Sequence, residues 1–139
     1  MDIKTYKLYL KVYSANNAIF EKNEKDLKTA KIFAEICTAR ILKAKQEEER
    51  KLQIEKGKIK QEEYKDVVTN YRDSYSTTRQ SLTRIIHFAD SSRIKSDLGD
   101  TLSSLDHREY LNRDACVCVE TFINTDLESL QEPENEPNN

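Results

Sequence analysis

An all-α fold is what this sequence predicts, and three observations carry the prediction. Eight positions, Tyr64, Val68, Tyr71, Tyr75, Thr78, Leu82, Ile85 and Ala89, follow one another in unbroken 4-3 alternation. A helix turns every 3.6 residues, so this spacing places eight side chains on one narrow stripe suited to a neighbouring helix. Gly and Pro occur only twice each, where average usage would give roughly ten and seven. A β-sandwich, a doubly wound sheet or a phosphate-cradling loop needs more glycine than this. Finally, 35% of the 139 residues are charged and 37% hydrophobic, a balance that suits helices with large solvated faces. The predicted architecture is an elongated helical hairpin or coiled coil with a shorter C-terminal helix, one domain over residues 1–130 and a disordered acidic tail over 131–139.

The first segment has its own seven-residue repeat, Tyr6, Tyr13, Phe20, Leu27, Ala34 and Ile41. Leu10, Ala30, Cys37 and Ala44 fill much of a second line, which Asn17 and Glu24 interrupt. Ser14, Asn16 and Asn17 are good helix-capping residues, so the expectation is a weak point or break near 14–17. The stretch Tyr6 to Tyr13 also alternates with period two, and Ala115 to Ile123 is β-prone. An α+β fold with strands near 6–13 and 115–123 is therefore the alternative.

From Lys43 to Asp66 the chain is mostly charge, 15 of 24 residues, with oppositely charged pairs such as Glu47 and Lys51 at helical spacing. Gly57 is the natural bend of a hairpin here. If it turns the chain, segment 17–52 folds back on segment 64–94 and their apolar seams meet; if not, one rod runs more than sixty residues. The second helix is expected to end near Gly99, a suitable C-cap, with Asp100 or Thr101 opening a short helix. Asp106 and Glu109 resemble a capping box for a last helix over about 107–130, burying Leu111, Ala115, Cys118, Phe122, Leu127 and Leu130. The closing QEPENEPNN contains no apolar residue and reads as a disordered acidic tail.

Formal net charge is −2, divided as +5 over residues 1–65 and −7 over 66–139. A pI near 5.8 without a dense basic cluster makes nucleic acid an unlikely partner. The apolar runs are far too short to cross a bilayer, so no membrane insertion is expected. Three cysteines make no even disulfide framework, and the N-terminus lacks a secretory pattern, pointing to a reducing cytoplasmic setting.

Candidate chemistry is sparse. Cys116 and Cys118 lie two apart, which on a helix aims them at different faces, and Cys37, His87 and His107 are isolated; no metal, cofactor or catalytic residue is assigned. Ser103, Ser104 and Asp106 near His107 are explained by local capping. Counted from Tyr64 as position a, Arg72, Arg79 and Arg93 fall on position b and would form a basic line beside the seam, near Arg84 and Lys95. Such a line would suit an acidic polymer surface or a phosphorylated segment.

Tyrosine supplies seven of eleven aromatics, three of them in the 64–89 seam, and Tyr suits surfaces buried on assembly. The expected function is a non-enzymatic coiled-coil subunit. Its seams, Tyr64 to Ala89 and Tyr6 to Ile41, would engage other coiled-coil proteins, as a hetero-oligomer in preference to a homo-oligomer. The setting is an intracellular complex of the kind that organises the cytoskeleton, cell division or trafficking. The alternative is an autonomous helical module that clamps an acidic or phosphorylated partner with the arginine row.

Overall fold

The computed structural model describes residues 2–131; the expected acidic tail lies almost wholly outside the described residues. The all-α prediction holds, with no strand among the described residues. Two long helices, α1 (Ile3–Lys43) and α2 (Glu47–Phe88), are followed by α3 (Ser92–Leu111), α4 (Arg113–Asn124) and a 3-10 turn (Leu127–Ser129). Both segments of the α+β alternative, 6–13 and 115–123, are helical. The segment 6–13 also holds Tyr6, Leu10 and Tyr13 in 4-3 steps on one helix face, and the longer seven-residue repeat decides between the two readings.

The Asp2 side chain caps α1 by accepting from the Lys4 amide. The helix then runs unbroken through 14–17, correcting the expected break. Asn17 instead donates from Nδ2 to Glu21 at 3.3 Å, along the helix surface, and so offers the backbone no competing cap. The chain reverses at residues 44–46, not at Gly57. Arg40 and Lys43 close α1 and Glu47, Glu48 and Glu49 open α2, each sign matching the dipole of its helix end. Arg50 reaches back to the Ile41 carbonyl at 3.2 Å, satisfying one of the acceptors that a helix C-terminus leaves open.

Gly57 lies inside α2 for a packing reason. A Cβ there would stand 2.6 Å from Leu127 Cδ1 and 2.9 Å from Cys37 Sγ. Neither glycine has a positive φ, and Gly99 sits within α3, so the predicted stop near Gly99 is also corrected. The break falls at 89–91, where the Ser91 side chain accepts from the Ile94 amide and starts α3. Asp106 is likewise inside α3 and opens no helix. Asn112 joins α3 to α4 as a buried bend residue, and α4 ends at Asn124, short of the expected 130. Within that last region Ala115, Phe122 and Leu127 are buried and Cys118 and Leu130 half-buried, whereas Leu111 points to solvent.

α1 and α2 pair antiparallel: Phe33 packs on Tyr64 with ring centroids 6.3 Å apart, Phe20 on Tyr71 at 5.5 Å, and Tyr9 on Phe88 at 5.9 Å. The joined pair α3–α4 runs back along α2, with α4 touching both long helices and α3 resting almost wholly on α2. The result is an up-down-up three-helix bundle whose third member is bent. Its core takes Phe20, Leu27, Ala34 and Ile41 from α1, Val68, Tyr71 and Leu82 from α2, and Val119, Phe122 and Leu127 from the third layer. Each fully buried aliphatic contributes about 1.5–3 kcal/mol relative to exposure.

Candidate interaction surfaces

The 4-3 stripe of α2 is consumed within the chain. Tyr64, Val68, Tyr71, Thr78, Leu82, Ile85 and Ala89 are buried and Tyr75 half-buried; on α1, Phe20, Leu27, Ala34 and Ile41 are buried, with Tyr6 and Tyr13 half-buried nearer the open end. The seams meet each other, as the hairpin version of the sequence reading expects. These seams are therefore closed to any further helix.

The tyrosines of the seam end differently. Tyr75 donates its hydroxyl to Asp106 at 2.6 Å, and burial, followed by that carboxylate, pushes its pKa up to about 12. Among the described residues the buried Tyr71 hydroxyl has no well-formed hydrogen bond, with the Asn112 side chain its nearest polar neighbour. Burial pushes its pKa up to about 12, and the nearby Asn112 amide offsets only part of this. A tyrosine buried without a well-formed hydrogen bond to its hydroxyl is costly, so Tyr71 is retained at some expense in stability.

The arginines do not form a line. Arg79 binds Asp106 of α3 through Nε at 3.1 Å and Nη2 at 3.4 Å, Arg72 pairs with Glu120 of α4, and Arg93 belongs to α3, beyond the break. Periodicity alone cannot see the break at 89–91, because the seven-residue register continues through it. Arg72 and Arg79 hold the third layer against α2. Exposed pairs of this kind contribute little individually, about 0–1 kcal/mol.

A more enclosed polar cluster joins α1 to the bend. Glu24 accepts from Arg108 Nη2 at 2.8 Å and from Asn112 Nδ2 at 2.7 Å, while the Arg108 guanidinium lies over the Phe20 ring, 4.9 Å from its centroid. Burial alone would raise the pKa of Glu24, but the two hydrogen bonds and the Arg108 charge outweigh it and hold the carboxyl below its usual range. The position that seemed to interrupt the α1 seam is thus the anchor of the third layer.

Among the described residues, the other cysteines, histidines and hydroxyls sit in local contacts. All three thiols are free, and burial raises each of their pKa values. His87 and His107 are exposed and lie against Phe88 and Tyr110 respectively. Ser74, Thr78, Ser81 and Thr83 each donate to a carbonyl of their own helix. Among the described residues no group of three His, Cys, Asp or Glu could hold a metal ion, and no helix is long and apolar enough to cross a membrane.

The outer faces of the bundle are apolar in places outside the two seams. Leu8, Val12 and Ile19 are 58%, 47% and 55% exposed, and with Ala15 they step along α1 in 4-3-4 spacing. Phe88 at the end of α2 is exposed beside them through its contact with Tyr9. Further along, Ile32 and Ile36 are exposed on α1 and Leu52 and Ile59 on α2. The 4-3-4 spacing of 8, 12, 15 and 19 is present in the sequence, where the longer Tyr6, Tyr13, Phe20 repeat overlaps it. Compared with known proteins, the chain matches no family model, no curated protein and no solved structure.

Proposed function

We propose that this chain is a non-enzymatic helical subunit that assembles with partner helices in an intracellular, cytoplasmic multiprotein complex, of the kind that serves the cytoskeleton, cell division or traffic. The observation that carries the reading is the row of exposed aliphatic side chains at helix-pairing spacing on the outside of a bundle whose own seams are already filled. Single exposed hydrophobes are ordinary on any surface, but apolar residues aligned on one face mark interaction sites. The free thiols support a reducing compartment. The local backbone bonding of the α2 hydroxyls supports a structural role for them. Because the seams close on themselves, the subunit folds before it assembles, and partners add to its outer faces.

The test is tagged purification from the native cell at physiological salt, with co-purifying proteins quantified by mass spectrometry. Helical proteins recovered at a constant equimolar ratio would support the subunit reading. Recovery of the chain alone, as a well-folded monomer, would overturn it.

A further inference from the structure

Resting on the assembly reading, we infer that the free end of the hairpin docks an acidic amphipathic helix of a partner protein. Charge is the first argument. From Ile3 to Phe20, α1 carries Lys4, Lys7 and Lys11 and no acidic residue; from Ser74 to Phe88, α2 carries Arg79 and Arg84 and again none. Arg79 is engaged by Asp106 on the α3 side, which leaves Lys4, Lys7 and Lys11 along the apolar row and Arg84 exposed on the neighbouring α2. Lys4, Lys7 and Lys11 border a shallow recess with Leu8 between them.

Position is the second argument. α1 meets the third layer along its Phe20, Glu24 and Glu35 flank, through Arg108, Asn112 and Cys118. The Leu8, Val12, Ala15 and Ile19 row runs along a different flank, where Ile19 shares a groove with Asn16, Asn23, Asn70, Asp73 and Thr77. The third layer leaves this flank open. The row covers eleven residues of rise, about 17 Å, which matches three turns of a partner helix. Apolar residues at heptad spacing with lysines along the edge select a helix whose own edge is acidic.

Other occupants fit less well. A second copy packed in parallel would bring the same lysines against one another. A lipid surface would have to cover Asn16, Asn70 and Asp73 beside the row, polar groups that hydrocarbon cannot satisfy. In the chain's own tail, Glu132, Glu134 and Glu136 follow Leu130, which Arg50 holds at the turn end of the hairpin. Lys11 is thirty residues of helix from Ile41, about 45 Å, whereas the six residues from Leu130 to Glu136 span only about 21 Å when extended.

The experiment measures fluorescence anisotropy of a labelled synthetic peptide of about three heptads, Leu and Ile at the seam and Glu at the edges, titrated with the full-length protein. A matched peptide with Lys at the edges is the comparison. The acidic peptide should bind about tenfold or more tighter, and more weakly as salt rises. Leu8→Asp with Val12→Asp should abolish binding, and Lys4→Glu, Lys11→Glu and Arg84→Glu together should reverse the peptide preference. Circular dichroism melts should stay unchanged, since all five side chains are exposed. Equal binding of both peptides, or none, would overturn the proposal. So would capture by phosphatidylcholine vesicles with about one-third phosphatidylserine in place of the acidic peptide, or a dimer that the Leu8→Asp, Val12→Asp variant dissolves. Native partners that still co-purify with that variant would leave the subunit reading standing and remove this face; peptide binding without native partners would do the reverse.

Discussion

Glu24 on α1 accepts a 2.7 Å hydrogen bond from Asn112, the residue at which the third layer bends, eighty-eight positions away in the chain. Its other carboxylate oxygen takes Arg108 at 2.8 Å. One side chain therefore sets where the bend lies against the hairpin. Glu24→Ala should cost about 2–3 kcal/mol, because it strands a half-buried guanidinium and a buried amide. Urea unfolding followed by circular dichroism measures this; a change below about 0.5 kcal/mol would mean the bend is held by apolar packing alone.

Tyr71 and Tyr75 should respond to the same substitution with opposite signs. Tyr71→Phe removes a buried hydroxyl that makes no well-formed hydrogen bond among the described residues and should stabilise the fold by about 1 kcal/mol. Tyr75→Phe loses the 2.6 Å bond to Asp106 and should destabilise it by about 1–2 kcal/mol. Paired thermal melts decide the matter, and equal signs would contradict it.

Acid should loosen the third layer. Burial tends to raise the pKa of both Glu24 and Asp106, yet hydrogen bonds from Arg108 and Asn112, and from Tyr75 and Arg79, leave both below their ordinary values of 4.5 and 3.8. A depressed native pKa means the unfolded chain binds protons first. Stability is then complete above those ordinary values and falls as pH drops through the native ones. At high pH the sign is reversed: Tyr71 and Tyr75, raised from 10.0 to about 12, lose stability as pH rises from about 10 towards 12. Hydrogen exchange at pH 3 and pH 6 should place the first acid opening at α3 and the bend, ahead of the hairpin; uniform opening would refute this order.

The two glycines make a matched pair. A Cβ on Gly99 meets nothing within 4 Å, so Gly99→Ala should gain about 1 kcal/mol of helix propensity. Gly57→Leu must displace Leu127 and Cys37 and should cost about 1–3 kcal/mol, with the C-terminal 3-10 turn loosening first. Melting temperatures of the two variants, with exchange at Leu127 to Leu130, provide the check.

The long helices were legible because periodicity over dozens of residues is a strong signal. Their ends were not. Gly57 and Gly99 look like stops when only backbone freedom is weighed, but one is a close-approach site for Leu127 and the other an ordinary helical position. The real boundaries, 44–46, 89–91 and Asn112, contain neither Gly nor Pro. They rest on a capping serine, on end charges and on Arg50 reaching a carbonyl from the next helix. Of the candidate contacts, Arg72 and Arg79 were singled out for a partner and found one in the third layer.

The amino-acid sequence by itself determined that this protein is helical and that α1 and α2 each carry an apolar seam. Those properties follow from local spacing and composition. Only the tertiary structure decided that the two seams meet each other, that Glu24 receives the bend, and that Leu8, Val12, Ala15 and Ile19 stay uncovered. Which surface covers which depends on where the chain reverses and on contacts some eighty residues apart, and no local pattern encodes those distances.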